Sequence, residues 1–181
     1  MNIPNLLTLL RIILVPIVVI FLIQGSYGKA LIAFVAAALT DALDGFLARA
    51  LGQQTTLGAY LDPIADKALL ASSFVTLSIL SIIPGWLTVI VISRDMVILL
   101  GILVLSLMSI EVKIRPTAVS KVTTAMQLVT VLMALTGRCF PGVVHELWLT
   151  GLFFITAVLT IISGLDYMKR GQKLINQAAE K

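Results

Sequence analysis

The sequence has few charged residues, one cysteine and one histidine. Only 12% of its 181 residues are charged, about half the usual share for a soluble domain, whereas 59% are hydrophobic. A single soluble core of this size cannot bury so much apolar surface, so an ordinary soluble domain is excluded. The lone Cys139 excludes an internal disulfide. His145 is expected in an outer loop as a solvated residue rather than a metal ligand. We therefore expect one integral membrane domain over residues 1–181.

Long apolar segments recur along the chain, and each is close to the roughly 20 residues that cross a bilayer as a helix. Breaks such as QGSYG, IIPG and TGRCFPG separate them. The pattern predicts an all-α, polytopic membrane protein with six transmembrane helices. Their expected ranges are Leu6 to Ile23, Lys29 to Ala50, Tyr60 to Ile82, Gly85 to Met108, Val119 to Thr136, and Leu147 to Met168.

Lysine and arginine are concentrated at one set of helix ends. By the positive-inside rule this bias puts both termini in the cytoplasm. The outer ends would hold only Lys29 and Arg138. The cytoplasmic ends would hold Arg11, Arg49, Lys67, Lys113, Arg115, Lys121, Lys169, Arg170, Lys173 and Lys181. A net charge of +4 placed in this way indicates an anionic membrane face or an anionic substrate rather than nucleic acid.

The first residues predict a retained membrane helix rather than a cleaved signal peptide. They contain no basic residue before Arg11 and no clear small-residue cleavage site. An Arg- and Ser-rich transit segment is also lacking. We therefore expect a multi-pass protein of a bacterial inner membrane. Trp86 and Trp148 are expected as interfacial anchors, and Asp166 is expected to form an exposed ion pair with Lys169 or Arg170.

Four aspartates lie within the segment LTDALDGFLARALGQQTTLGAYLDPIADKALL. Asp41 and Asp44 are three residues apart, and Asp62 and Asp66 are four apart, so each pair shares one face of a helix. The first pair lies near the end of the second expected span, and the other lies near the start of the third. A short loop joins these ends. The two pairs should therefore meet close to the cytoplasmic surface.

Four carboxylates in membrane helices need compensation. Each costs on the order of 3 kcal/mol at a helix centre, and they repel one another. Protonation could relieve this repulsion, and so could cations. Two divalent cations would cancel the charge, and oxygen ligands favour Mg²⁺, or alternatively Mn²⁺. Two such ions about 3.5–4 Å apart can clamp a phosphoryl group. Small residues could serve tight helix packing alone, but packing does not require four acids. A metal-ion transporter is the rival class, although the acids lie near one face and an inverted repeat is lacking.

The spacing of these residues resembles the signature of one enzyme family. The pattern Asp41-x-x-Asp44-Gly45-x-x-Ala48-Arg49, then eight residues, then Gly58-x-x-x-Asp62-x-x-x-Asp66 is similar to that of the CDP-alcohol phosphatidyltransferases at every fixed position. The opening NIPNLLTLLR, the SRD sequence and the later RPTAVSKVTTAMQ extend the resemblance over nearly the whole chain. It implies a six-helix membrane enzyme, usually a homodimer. Such enzymes move a phosphatidyl group from CDP-diacylglycerol to an alcohol and release CMP.

The resemblance also implies a role for each residue of the motif. Asp41, Asp44 and Asp62 match metal-binding positions, and Asp66 matches the position of both a metal ligand and the general base. Residues that match the CDP-binding groove are Asn5, Thr8, Gly45, Ala48, Arg49 and Gly58. Arg49 offers a planar positive group suited to a phosphate. The nucleotide head of the substrate is consistent with a site that faces the cytoplasm.

The acceptor alcohol is expected to meet a basic cluster around the fourth and fifth helices. The candidates for binding its phosphate are Arg94, Lys113, Arg115 and Lys121. The positive-inside rule alone also explains Lys113 and Arg115. The segments ISRDMVILL and IRPTAVSKVTTAMQLV resemble the cardiolipin-forming branch of the family, whose acceptor is phosphatidylglycerol. The alternative acceptor is sn-glycerol 3-phosphate. Members using it often have a second arginine where Ile102 stands and a Gly-Lys-x-Lys-Thr run in place of SKVTT.

Overall fold

The structure, a computed structural model, describes residues 3–51, 56–107 and 117–179, with side chains over 9–40, 65, 67–104, 107, 117–172 and 176. Six α-helices form the described chain, which confirms the all-α prediction of six helices. In order they are α1 (Ile3–Ile23), α2 (Tyr27–Leu51), α3 (Thr56–Ile79), α4 (Gly85–Leu107), α5 (Ala118–Cys139) and α6 (Glu146–Ala179).

Three of these helices are long and apolar enough to cross a membrane. The qualifying segments are Gly85–Val104, Ala118–Cys139 and Glu146–Gln172. Within the described residues, α1, α2 and α3 contain shorter apolar stretches, which are Leu9–Ile23, Tyr27–Thr40 and Lys67–Ile79. The helix count is thus confirmed, whereas six membrane crossings and cytoplasmic termini remain predictions.

Several helix ends differ from those expected, and the ends of the third and the last helix have a local explanation. The third helix ends at Ile79 rather than at Ile82, because Ser81 takes a positive φ of 56° and Pro84 follows. The last helix continues to Ala179 rather than ending at Met168. Its extension, residues 169–179, contains Lys, Arg, Gln and Ala, which have high helix propensity, so the helix continues beyond the apolar run.

The helices pack around a core to which all six contribute buried apolar side chains. Helix α1 packs against α2 and α3, α4 packs against α6, and α5 packs against α6 and α2. Phe34, Leu70, Phe74 and Leu87 are among the fully buried side chains. Many other large apolar side chains point outward from the described parts of the helices. Such a surface is unfavourable in water and suits contact with lipid.

A row of hydrogen-bonded polar side chains joins α5 to α6. Thr130 and Thr156 share a hydrogen bond of 2.7 Å between their hydroxyl oxygens. Gln127 Nε2 donates to Thr160 Oγ1 at 3.3 Å, and Thr123 Oγ1 donates to the main-chain carbonyl of Leu159 at 3.1 Å. The three α5 residues are spaced four and three apart, so they occupy one helix face. This α5–α6 polar row fixes the register of the two helices where apolar packing alone would be less specific.

We predict a measurable coupling between Thr130 and Thr156. Replacing either with valine keeps the shape and removes the hydroxyl, so a double-mutant cycle isolates the interhelical hydrogen bond. The coupling should be about 0.6 kcal/mol and no more than about 1.7 kcal/mol. It can be measured by unfolding the purified protein in mixed micelles.

The matched control is Thr136→Val, because Thr136 donates to Leu132 within its own helix at 2.8 Å. A cycle pairing this control with Thr156→Val should be additive. Equal coupling in both cycles would contradict an interhelical role for the Thr130 hydroxyl.

Candidate active site

The four aspartates of the motif lie on two consecutive helices. Asp41 and Asp44 belong to the last half of α2, and Asp62 and Asp66 belong to the first half of α3. Only residues 52–55 separate the two helices. The helical spacing that places each pair on one face is therefore present. The aspartate side chains lie outside the part that the structure describes, so their role as metal ligands remains a prediction.

For the other predicted site residues, the structure describes the backbone alone, the side chain as well, or neither. Asn5 and Thr8 lie in α1, Gly45, Ala48 and Arg49 lie in α2, and Gly58 lies in α3. Their surroundings fall outside the described side chains. Lys113 and Arg115 lie outside the described residues altogether. Arg94 and Lys121 are the two predicted site residues whose side chains the structure describes.

Arg94 joins three helices through its guanidinium group. From α4, Nη2 donates to Ser120 Oγ on α5 at 2.6 Å and to Ser163 Oγ on α6 at 2.8 Å. Nη1 donates to Oδ1 of the neighbouring Asp95 at 2.7 Å. The ring of Tyr167 covers the group, with 5.9 Å from Cζ to the ring centroid. Only 3% of the Arg94 side chain is exposed, so this arginine is held by the protein on several sides.

Lys67 extends the network to α3. Its Nζ donates to the same Asp95 Oδ1 that receives Arg94. Lys67 directly follows Asp66 along α3. The Asp95 carboxylate thus neutralises part of two positive charges and ties the helix that carries Asp66 to α4. The side chain of Lys67 is 30% exposed and that of Asp95 is 12% exposed, so this side of the network is more accessible than the Arg94 side.

The start of α5 lies beside this network. Thr117 caps the helix, and its side chain accepts from the Ser120 N–H at 3.1 Å. Ser120 receives Arg94, and the next residue, Lys121, is exposed. The helix N-terminus and the Lys121 ammonium add positive charge here, which is suited to an anionic group. The role of Arg94 and Lys121 in binding an acceptor phosphate remains a prediction.

Sequence reasoning missed several partners. Ser120, Ser163 and Tyr167 hold Arg94, yet nothing local in their sequence distinguishes them from ordinary helix residues. Arg11, which had been counted only as an orientation charge, is fully buried in α1 on the side of the bundle formed with α2 and α3. Its position inside the first apolar run was the available signal, because a charge there is costly and is usually functional or paired.

The sequence comparisons agree with the motif. A family model described as CDP-alcohol phosphatidyltransferase matches residues 1–163. The chain therefore belongs to the CDP-alcohol phosphatidyltransferase family. This result confirms the resemblance on which the sequence analysis relied.

Individual relatives divide between two named activities. The chain is 33% identical to the human cardiolipin synthase (CMP-forming) over 190 residues, covering 96% of this chain and 63% of that protein. It is 35% identical to a probable phosphatidylglycerophosphate synthase of Mycobacterium tuberculosis, covering 93% and 81%. It is 36% identical to a CDP-diacylglycerol–glycerol-3-phosphate 3-phosphatidyltransferase of Salmonella choleraesuis, covering 92% and 93%. The chain spans less than two thirds of the human relative's length.

We predict that Asp95 and Lys67 contribute unequally to stability. Asp95→Asn leaves the buried Arg94 without its anionic partner and should cost about 3–5 kcal/mol. Lys67→Met keeps the Arg94–Asp95 pair and removes a partly exposed cation, so it should cost no more than about 1 kcal/mol. Unfolding in detergent measures both changes.

The control is Asp166→Asn, which removes an exposed pair with Arg170 at 3.1 Å and should have little effect. That pair confirms the exposed ion pair expected from the sequence. If Asp95→Asn were as mild as Asp166→Asn, the Asp95 carboxylate would not be the main compensation for the Arg94 charge.

Proposed function

We propose that this chain transfers a phosphatidyl group from CDP-diacylglycerol to the hydroxyl of phosphatidylglycerol, giving cardiolipin and CMP. The observation that carries the proposal is the family motif, with its two aspartate pairs on the closely joined helices α2 and α3. Membership of the CDP-alcohol phosphatidyltransferase family supports the reaction class. The similarity to the human cardiolipin synthase (CMP-forming) supports this acceptor. The function would therefore be phospholipid synthesis.

The membrane arrangement is part of the same proposal. We expect α1, α2 and α3 to cross the bilayer together with the three longer apolar helices, and both termini to face the cytoplasm. The outward-facing apolar side chains support burial in lipid, and the distribution of lysine and arginine supports the orientation. We also propose a homodimer in a bacterial inner membrane with its active site at the cytoplasmic side.

The donor set of the motif fits divalent metal ions. Four carboxylates offer oxygen ligands, which suit Mg²⁺ or Mn²⁺ rather than softer ions. Asp41, Asp44, Asp62 and Asp66 would hold two such ions. When bound, the ions would supply charge neutralisation and polarisation of the phosphate oxygens.

Asp66 would act on the acceptor itself. Its carboxylate takes the proton of the acceptor hydroxyl, which is a poor nucleophile while protonated. The hydroxyl oxygen then forms a bond to the phosphorus that carries diacylglycerol. The bond from that phosphorus to the bridging oxygen breaks, and CMP leaves with this oxygen. Arg49 and the small residues Gly45 and Gly58 would bind and orient the CDP portion, so that much of the barrier is lowered by positioning.

The choice of acceptor depends on the charge near α4. Glycerol 3-phosphate has close to two negative charges at neutral pH, because a phosphomonoester has a second pKa near 6. Phosphatidylglycerol has one charge in a diester and two apolar tails. Ile102 lies on α4 and is 40% exposed at the position where a second arginine was expected for the soluble acceptor. The smaller number of cationic side chains near α4 favours the lipid as acceptor. Two of the named relatives support glycerol 3-phosphate as the alternative.

We predict that the purified protein forms cardiolipin when CDP-diacylglycerol and phosphatidylglycerol are supplied in mixed micelles. The same protein with glycerol 3-phosphate should form little phosphatidylglycerophosphate. Mass spectrometry of the lipid product and release of CMP are measured for each acceptor separately.

Product from glycerol 3-phosphate alone would contradict the proposed acceptor and leave the enzyme class intact. Failure to release CMP with any acceptor alcohol would contradict the class. Asp66→Asn is the control for a contaminating activity, since loss of the general base should abolish most turnover.

We also predict that CMP release depends on divalent ions. Four clustered carboxylates without cations repel each other and the pyrophosphate of the substrate. Protein stripped with a chelator should lose nearly all turnover, and added Mg²⁺ or Mn²⁺ should restore it. Undiminished turnover in metal-free buffer would refute the two-metal proposal.

A further inference from the structure

An apolar groove lies between the C-terminal half of α4 and residues 167–172 of α6, on the C-terminal side of Arg94. It encloses about 430 Å³, within the range of roughly 300–1,000 Å³ that is usual for small-molecule sites. Its walls are mainly aliphatic, with Tyr167 and Gln172 as the polar exceptions. Residues that line it include Val97, Gly101, Ile102 and Val104 of α4, and Tyr167 and Gly171 of α6.

Two glycines leave this α4–α6 groove open. A Cβ added to Gly101 or to Gly171 would meet no neighbouring atom within 4 Å among the described residues. One glycine is on each wall. At the inner end, Tyr167 lines the groove and its ring also lies against Arg94, which is not itself a lining residue. The aromatic ring thus provides an apolar surface in front of a charged group, so an apolar occupant does not have to contact the guanidinium.

The groove lies at the same depth as part of the aspartate motif. Helices α3 and α4 are joined by a short turn, and Lys67 pairs with Asp95 across them. The two helices therefore run antiparallel, and residues 62–66 of α3 are level with residues 96–100 of α4. The groove begins at Val97 on α4. An occupant of the groove would thus lie at the same depth as the α3 positions Asp62 and Asp66.

The neighbouring end of α6 is positively charged. Lys169 and Arg170 are exposed next to the groove residues Met168 and Gly171. Asp166 offsets one of these charges through its pair with Arg170. An apolar channel with a net positive rim complements an anionic phospholipid, whose tail is apolar and whose phosphate is negative.

We propose that the α4–α6 groove binds one acyl chain of the acceptor phospholipid. The inference rests on the proposed function and deepens it, because it assigns a site to the part of phosphatidylglycerol that glycerol 3-phosphate lacks. Ile102 then has a function of its own, because its apolar side chain lines the acyl-chain site. An arginine at this position would place a charge against the chain.

A second copy of the chain fits this groove less well. In a two-fold dimer the same patch of each subunit would face its counterpart. The basic rims at Lys169 and Arg170 would then lie at the same level and repel each other. An anionic lipid meets the same rim with the opposite charge.

The test narrows the groove from each wall. Gly101→Leu and Gly171→Leu should each raise the KM for dioleoyl-phosphatidylglycerol about tenfold. This change corresponds to about 1.4 kcal/mol, comparable to the burial of roughly two methylene groups. The KM for dihexanoyl-phosphatidylglycerol, whose short chains do not fill the groove, should change much less. The ratio of the two KM values is the readout, so a general loss of folded protein does not imitate the effect.

Gly151→Leu is the matched control. Gly151 is also a glycine of α6 with open space around an added Cβ, and it lies outside the groove. Gly151→Leu should therefore leave the ratio of the two KM values unchanged.

If the wild-type protein forms cardiolipin but neither groove variant changes the KM ratio, the acyl-chain site is refuted and the proposed function stands. Loss of the dimer in the groove variants, with equal effects on both lipids, would assign the groove to a subunit interface and also overturn it. Wild-type protein that forms no cardiolipin would refute the function itself.

Discussion

Compensation of the buried Arg94 charge is the constraint on which the packing of α4, α5 and α6 depends. A guanidinium cannot be left without partners in apolar surroundings, because the loss of hydration is not recovered there. Asp95, Ser120 and Ser163 each accept from it. Since these partners come from three helices, the rotation of each helix about its own axis is fixed by one side chain. The α5–α6 polar row continues this alignment along the two helices.

The same network connects α4, α5 and α6 to α3, the helix that carries the candidate base Asp66. Asp95 is shared by Arg94 and Lys67, and Lys67 is next to Asp66 in the chain. A displacement of α4 or α6 would therefore shift the middle of α3, where Asp66 and Lys67 lie. If the α4–α6 groove binds the acceptor as proposed, this network links it through packed helices to the predicted chemistry, and Arg94 keeps its partners.

Sequence patterns predicted the helices better than their ends. Apolar runs located all six helices, because burial in lipid demands continuous apolar segments. The end of α3 depended instead on the backbone of Ser81, and the extension of α6 to Ala179 depended on helix propensity beyond the apolar run. The motif identified the family because its chemistry requires fixed residue types at fixed helical spacing. The positive-inside rule treated Arg11 only as a topological marker, although its side chain is buried.

The sequence by itself determined the class of protein, the six helices and the two aspartate pairs, since each depends on residues that are close together along the chain. The tertiary structure alone decided which hydroxyls hold Arg94, which carboxylate receives Lys67 and where α4 and α6 separate to form a groove. Ser120 and Ser163 are far apart in the chain, and a serine that pairs with an arginine has the same local pattern as one that does not. Only the packing of helices brings such groups within hydrogen-bond distance.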